Sequence, residues 1–192
     1  VLSALRIAKE DGEIERIRAA ASVAVAGMAA AVNAMKPGLT ESQVAAEAEY
    51  AMRQAGADEF WRTYVCSGPR TNIAHGLPTQ RRMEEGDLVM IDIHPIVNGY
   101  SADICRTVCV GRPTAEQQAA YDLYLKAQQG TIAAIKTGIG MVELDEILHG
   151  IIRDGGHGDH LFGPTMHGVG IEFEEAPLPP GHAFFHGEIG RA

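Results

Sequence analysis

Asp92 and Asp103 stand eleven residues apart, on either side of Asn98-Gly99. An Asn-Gly pair between apolar runs is a strong hairpin signal, so the two carboxylates are expected on adjacent strands. Asp92 lies inside the apolar run VMIDIHPIV, where an unpaired charge would cost several kcal/mol. A second carboxylate beside it would repel it and raise a pKa. A divalent cation between the two removes both penalties. The alternative is an Asp paired with Arg106 beside a turn Asp. His167, followed by Gly168 and Gly170, adds an imidazole where glycine lets backbone approach a ligand. Two buried Asp with a His form an oxygen and nitrogen site suited to manganese, cobalt, iron or zinc rather than calcium. His75, in the polar loop TNIAHGLPT, reads alone as a surface-loop His; near a metal it could donate to a developing oxyanion or to a leaving group.

The elements that must hold these residues follow from periodicity and punctuation. Apolar positions Ile14, Ile17, Ala21, Val25 and Met28 give one long helix over about 10–36, stopped by Pro37-Gly38. Thr40 with Gln43 forms a capping box for a second helix, ending at Gly56. Residues 61–67 read as a strand and 68–80 as a loop. Residues 86–98 read as a buried strand and 100–110 as its return strand. Thr114 opens a third helix to about Lys136, a shorter helix covers 141–154, and an apolar strand is expected at 169–173. The order repeats at an offset of 100: Lys36-Pro37-Gly38-Leu39 falls on Lys136-Thr137-Gly138-Ile139, Arg53 on Arg153 and Gly56 on Gly156. Either helix punctuation coincides by chance or the chain is a duplicated α+β half, with halves at about 10–110 and 111–192. A second hairpin would then fall at about 186–210. Both chain ends are expected to be cut, and that hairpin to be missing.

Composition narrows the function. The 192 residues are 46% hydrophobic and 21% charged, enough to bury a core. A formal net charge of −9 excludes the basic stripe of a nucleic-acid binder and the polybasic patch of a membrane contact. The most apolar stretch, residues 19–35, is largely alanine inside an amphipathic helix pattern, so no membrane span is expected. Three cysteines with no CxxC fit a reducing cytoplasm better than a disulfide framework. His149, His157, His160, His182 and His186, with Trp61 and Tyr64, are assigned no role in the chemistry; the two aromatic residues are expected in the core.

The run GDLVMIDIHPIVNGYSADICRTVCVG, followed by TAEQQAAYD, resembles the first metal hairpin of the pita-bread metallopeptidases. These include methionine aminopeptidase, aminopeptidase P, prolidase and the non-peptidase creatinase. HGVGIEFEEAP resembles the family's His-Gly-Ile-Gly segment, whose Glu-x-Pro ending maps onto Glu175 and Pro177. The N-terminal LSALRIAKEDGEIERIRAAA resembles the opening helix of the catalytic domain in the prolidase-like branch. The resemblance spans essentially the whole chain. It implies an α+β pita-bread fold: a curved antiparallel sheet backed by two helix pairs in pseudo-twofold halves. It also implies two divalent metal ions, with Asp92 as a two-oxygen ligand, Asp103 as a bridge and His167 on the second ion. The family's two remaining Glu ligands would lie beyond Ala192, and Glu188 is not taken as a substitute. No counterpart of that branch's N-terminal domain is expected here.

Two departures shape the functional expectation. Glu174 occupies the position before Glu-x-Pro where the family's peptidases carry a His that contacts substrate, so Glu174 is taken as a catalytic-site residue. His94-Pro95 follows Asp92 where creatinase-like members have an aromatic residue and Pro, so His94 joins His75 as a substrate-binding candidate. The expected function is metal-dependent hydrolysis of a peptide or amide C–N bond. The substrate is a small peptide, an Xaa-Pro dipeptide or a peptide N-terminus, and the expected assembly is a homodimer. The alternatives are a small-molecule amidohydrolase of the creatinase or ectoine hydrolase kind, and a non-catalytic binding module.

Overall fold

The computed structural model describes residues 2–161 and 165–178. Its elements run α1 (Leu2–Ile7), α2 (Asp11–Ala34), α3 (Glu41–Gln54), β1 (Glu59–Ser67), β2 (Leu88–Val97), β3 (Tyr100–Ser101), β4 (Ile104–Cys109), α4 (Ala115–Ala134) and α5 (Met141–Asp154). They form two compact units. One runs to Ala115 and takes in Val169–Glu175; the other comprises Glu116–Gly168 and resumes at Ala176.

In the first unit β2 is central, antiparallel to β1 on one edge and to β3 and β4 on the other. Asn98 (φ 49°) and Gly99 (φ 77°) both adopt positive φ, which a two-residue hairpin turn of the right twist requires. Strand alternation sends Val89, Ile91 and Ile93, all fully buried, into a core shared with Val65 and with Ala20, Ala24 and Ala31 of α2 and Val44 and Ala48 of α3. Small residues let the helices meet closely: a Cβ on Gly27 would lie 2.5 Å from Met52 Cγ. Helix α2 is long and apolar enough to cross a membrane by length and composition. Ala20, Val23, Ala24, Gly27, Met28 and Ala31 nevertheless form a buried face within this core.

The Thr40–Gln43 capping box forms as expected, with Gln43 N–H donating to Thr40 Oγ1 at 3.2 Å and Thr40 N–H to Gln43 Oε1 at 2.9 Å. The repeat at an offset of 100 is present in local conformation. Helices α3 and α5 share bounds at that offset. Gly38 and Gly138 take φ of 88° and 89°, and Gly56 and Gly156 take 102° and 83°. Gly56 N–H donates to Arg53 O as Gly156 N–H does to Arg153 O.

Two expectations change. The return strand is interrupted at Ala102-Asp103, although Ala102 N–H still donates to Pro95 O. Residues 169–173 form bends rather than a strand. Gly170 N–H turns back to Glu172 O, and Gly170 O accepts from Ser101 N–H, so the backbone bonds locally and to β3 instead of extending a ladder. Residues 179–192, which include His182, His186 and Glu188, lie outside the described residues.

Candidate metal centre

The face of the sheet opposite the helices carries the chemistry. Met90, Asp92 and His94 alternate with the core residues of β2, and Tyr64 and Cys66 of β1 pair with Asp92 and Met90. Directly paired residues share a face, so Tyr64, Cys66 and Met90 pack as a small apolar floor beside Asp92. Asp103 lies between the Ile93↔Ile104 and Ile96↔Ser101 pairs, at the register position facing His94. One carboxylate oxygen from each Asp and one His94 nitrogen consequently lie within 4.8 Å of one another. His94 Nε2 is 3.3 Å from Asp92 Oδ1 and 3.6 Å from Asp103 Oδ1. His94 is only 1% exposed and Asp92 6%, so the Asp92 charge is poorly screened by water.

The paired Asp carboxylates therefore do converge, as the hairpin implied. His94, expected to touch substrate, sits among them. Arg106 donates to Cys105 O, and among the described residues no Asp92–Arg106 ion pair occurs. A divalent cation fits this donor set. Two carboxylates supply the charge and an imidazole the nitrogen that favour manganese, iron, cobalt or zinc over calcium.

An aromatic wall surrounds the cluster. The Tyr64 ring lies 5.8 Å from His94 and 5.2 Å from His75, Phe173 lies 4.7 Å from His94, and Trp61 stacks on Phe173 at 5.7 Å. Trp61 is 43% exposed, so it is a rim residue rather than core, whereas Tyr64 is buried on the site face. Burial raises the Tyr64 phenol, and the Asp92 charge pushes the same way. Cys105 pairs with Asp92 across the strands. It is solvent-accessible as a residue, yet packing around its thiol and the charges of Asp92 and Asp103 push its pKa up to about 12. A thiol so raised is no nucleophile at neutral pH.

His75 is exposed in the 68–80 loop, whose neighbouring positions are tightly packed. Gly76 passes so close to Cys66 that an added Cβ would lie 2.2 Å from Sγ. At the base of the loop, fully buried Glu41 accepts hydrogen bonds from Ser67 N–H (2.7 Å), Thr79 N–H (2.9 Å) and Thr79 Oγ1–H (2.6 Å), and pairs with Arg70 Nε at 3.2 Å. Burial pushes the Glu41 carboxyl up, but the Thr79 and Ser67 donors outweigh it and hold it below its ordinary value. Nothing in the sequence pattern marked Glu41 beyond its place in a helix first turn.

Glu174 is half-buried and follows Phe173, whose ring covers His94. Its neighbour Glu175 pairs with Lys9 Nζ at 2.9 Å and with Arg6. His167 belongs to the second unit, half-buried, with Nδ1 3.0 Å from Gly168 O.

Residues 15–189 match metallopeptidase family M24. The chain is 39% identical to an Xaa-Pro dipeptidase of Pyrococcus furiosus over 92% of its length and 51% of the relative's. It is 37% identical to an Xaa-Pro dipeptidase of Pyrococcus horikoshii over the same shares. Among solved structures, the prolidase from Pyrococcus furiosus superposes with a TM-score of 0.90 at 39% identity, covering 92% of this chain and 53% of that one. The X-Pro aminopeptidase from Thermotoga maritima superposes at 0.87 with 34% identity, covering 92% and 51%. The chain thus spans about half the length of the curated relatives it matches.

Proposed function

The chain belongs to metallopeptidase family M24 and has the α+β pita-bread fold, and on that premise we propose that it is the metal-binding catalytic region of an Xaa-Pro dipeptidase. The observation that carries this reading is the convergence of Asp92, His94 and Asp103 donor atoms within 4.8 Å on one face of a sheet. Its support beyond the family is the likeness to relatives named Xaa-Pro dipeptidases.

Asp92 and Asp103 supply the negative charge that would hold divalent metal, two ions being proposed, drawn from manganese, cobalt, iron and zinc. Bound metal supplies Lewis acidity toward a carbonyl oxygen and makes water a stronger acid. His167 is proposed as a further nitrogen ligand on the strength of the family motif alone. His75, exposed in its loop with its ring 5.2 Å from Tyr64, is proposed to donate to the developing oxyanion or to the leaving nitrogen. Trp61 and Phe173 offer an apolar surface suited to a prolyl ring beside His94.

A second reading, hydrolysis of a C–N bond in a small non-peptide substrate, is favoured by Glu174. That residue is half-buried and next in sequence to Phe173, and an acid there would suit a cationic substrate better than a peptide carboxylate. The test is turnover by the complete protein loaded with manganese or cobalt. Release of proline from Met-Pro or Leu-Pro supports the first reading. Turnover confined to guanidino or cyclic amidine substrates moves the assignment to the second.

A further inference from the structure

We propose that His94 is itself a metal ligand, its Nε2 joining the Asp92 and Asp103 carboxylates of the same hairpin. This rests on the metal-centre reading above and adds a residue that the family resemblance did not supply.

The strand geometry prepares the imidazole for that role. Phe60 pairs with Pro95 and Thr63 with Ile93, so Trp61 and Arg62 together oppose the single residue His94. Such a bulge leaves the extra residue outside the regular ladder and bends the strand. Pro95 brings no N–H to the ladder at this point. The Arg62 carbonyl instead lies 2.9 Å from His94 Nδ1. A carbonyl only accepts, so Nδ1 carries the proton and Nε2 faces the two carboxylates. A metal-binding imidazole shows this arrangement, one nitrogen bound to backbone and the other turned to the ion.

The separations fit a shared cation better than direct bonding. An imidazolium bonded to a carboxylate lies at ~2.7–2.9 Å, and the observed 3.3 and 3.6 Å are longer. Ligands bonded to one ion at ~2.0–2.2 Å stand roughly 3.4 Å from each other along the edge of a tetrahedron. The ring is also locked in place, 1% exposed between Tyr64 and Phe173.

The test is cobalt binding by the protein, read by calorimetry, visible absorption and proton NMR. With Co2+ bound, the His94 Nδ1–H should appear as a strongly shifted exchangeable signal, held from solvent by Arg62. His94→Gln should lose that signal and weaken Co2+ binding by at least about tenfold, in line with loss of one ligand. His94→Cys should add a thiolate-to-cobalt charge-transfer band in the near ultraviolet; this covers the case in which the Gln variant does not fold. Unchanged affinity and signals in His94→Gln, or no added band in His94→Cys, overturns the assignment while leaving the metal centre intact. If the wild-type protein binds no Co2+, or binds it undiminished after Asp92→Asn and Asp103→Asn, the metal-centre reading falls as well.

Discussion

Asp92 and Asp103 differ in what surrounds them, and their variants should differ too. The Asp92 side chain is 9% exposed, while the Asp103 side chain retains 20% of its surface at a break in the strand. Asp92→Asn and Asp103→Asn should each lower divalent-metal affinity by two orders of magnitude or more, measured by calorimetry. Asp103→Asn should fold with nearly normal stability. His75→Ala should leave metal content unchanged and cut turnover by ~10², as expected for loss of one transition-state donor; metal loss in that variant would make His75 a ligand instead. The Asp pair was legible because the Asn-Gly turn sits between two Asp in apolar strands. The role of His94 was legible in principle as well. A two-residue turn pairs Val97 with Tyr100, and counting outward puts Asp103 opposite His94 and Asp92 opposite Cys105. The bulge that turns the Arg62 carbonyl toward His94 left no such mark, because it arises from pairing with a distant strand.

The loop at 68–80 has no regular ladder of its own, and a buried carboxylate substitutes for one. Glu41, at the start of α3, satisfies donors from both ends of the loop, Ser67 and Thr79, together with Arg70. Glu41→Ala would leave these buried donors without an acceptor and should destabilise the protein by about 3 kcal/mol, read from denaturant unfolding. Glu41→Gln should recover only part of that. Gly76→Ala sets a Cβ against Cys66 Sγ, an overpacking worth about 1–3 kcal/mol. Adding Cys66→Ala should restore much of the loss, which a generic glycine effect would not show. Helices α2 to α5 were readable to within about two residues because Gly, Pro and the Thr40–Gln43 box punctuate them, whereas the short α1 (Leu2–Ile7) was not read as a separate element. The interruption at Ala102-Asp103 and the bends at 169–173 were not, since both depend on which backbone groups meet in three dimensions.

The N-terminal residues are tied to a segment more than 160 positions away, and that tie is electrostatic. Arg6 and Lys9 both pair with Glu175, and Arg6 reaches Glu172 at 3.0 Å. The same segment carries Phe173 onto His94 and onto Trp61, the chain's one tryptophan. Burial pushes the Glu175 carboxyl up, but Lys9 and Arg6 prevail and hold it below its ordinary value. Asp87, bonded to Arg81, and Glu41 are depressed in the same sense. A carboxyl with a lowered folded pKa stabilises the fold at every pH above its unfolded value, ~4.3 for Glu and ~3.9 for Asp. That stability is lost as the pH falls through the folded value, since the unfolded chain then binds the proton more readily. The protein should therefore unfold progressively on acidification below about pH 4. Glu175→Gln should melt well below wild type at pH 7, and the gap between them should narrow as wild type loses the same ion pairs in acid. Trp61 emission should separate a local effect from a global one. If the Arg6–Lys9–Glu175 tie holds Phe173 in place, the Gln variant's emission at neutral pH will shift before the chain unfolds. If emission changes only with global melting, the tie contributes stability without positioning the aromatic wall.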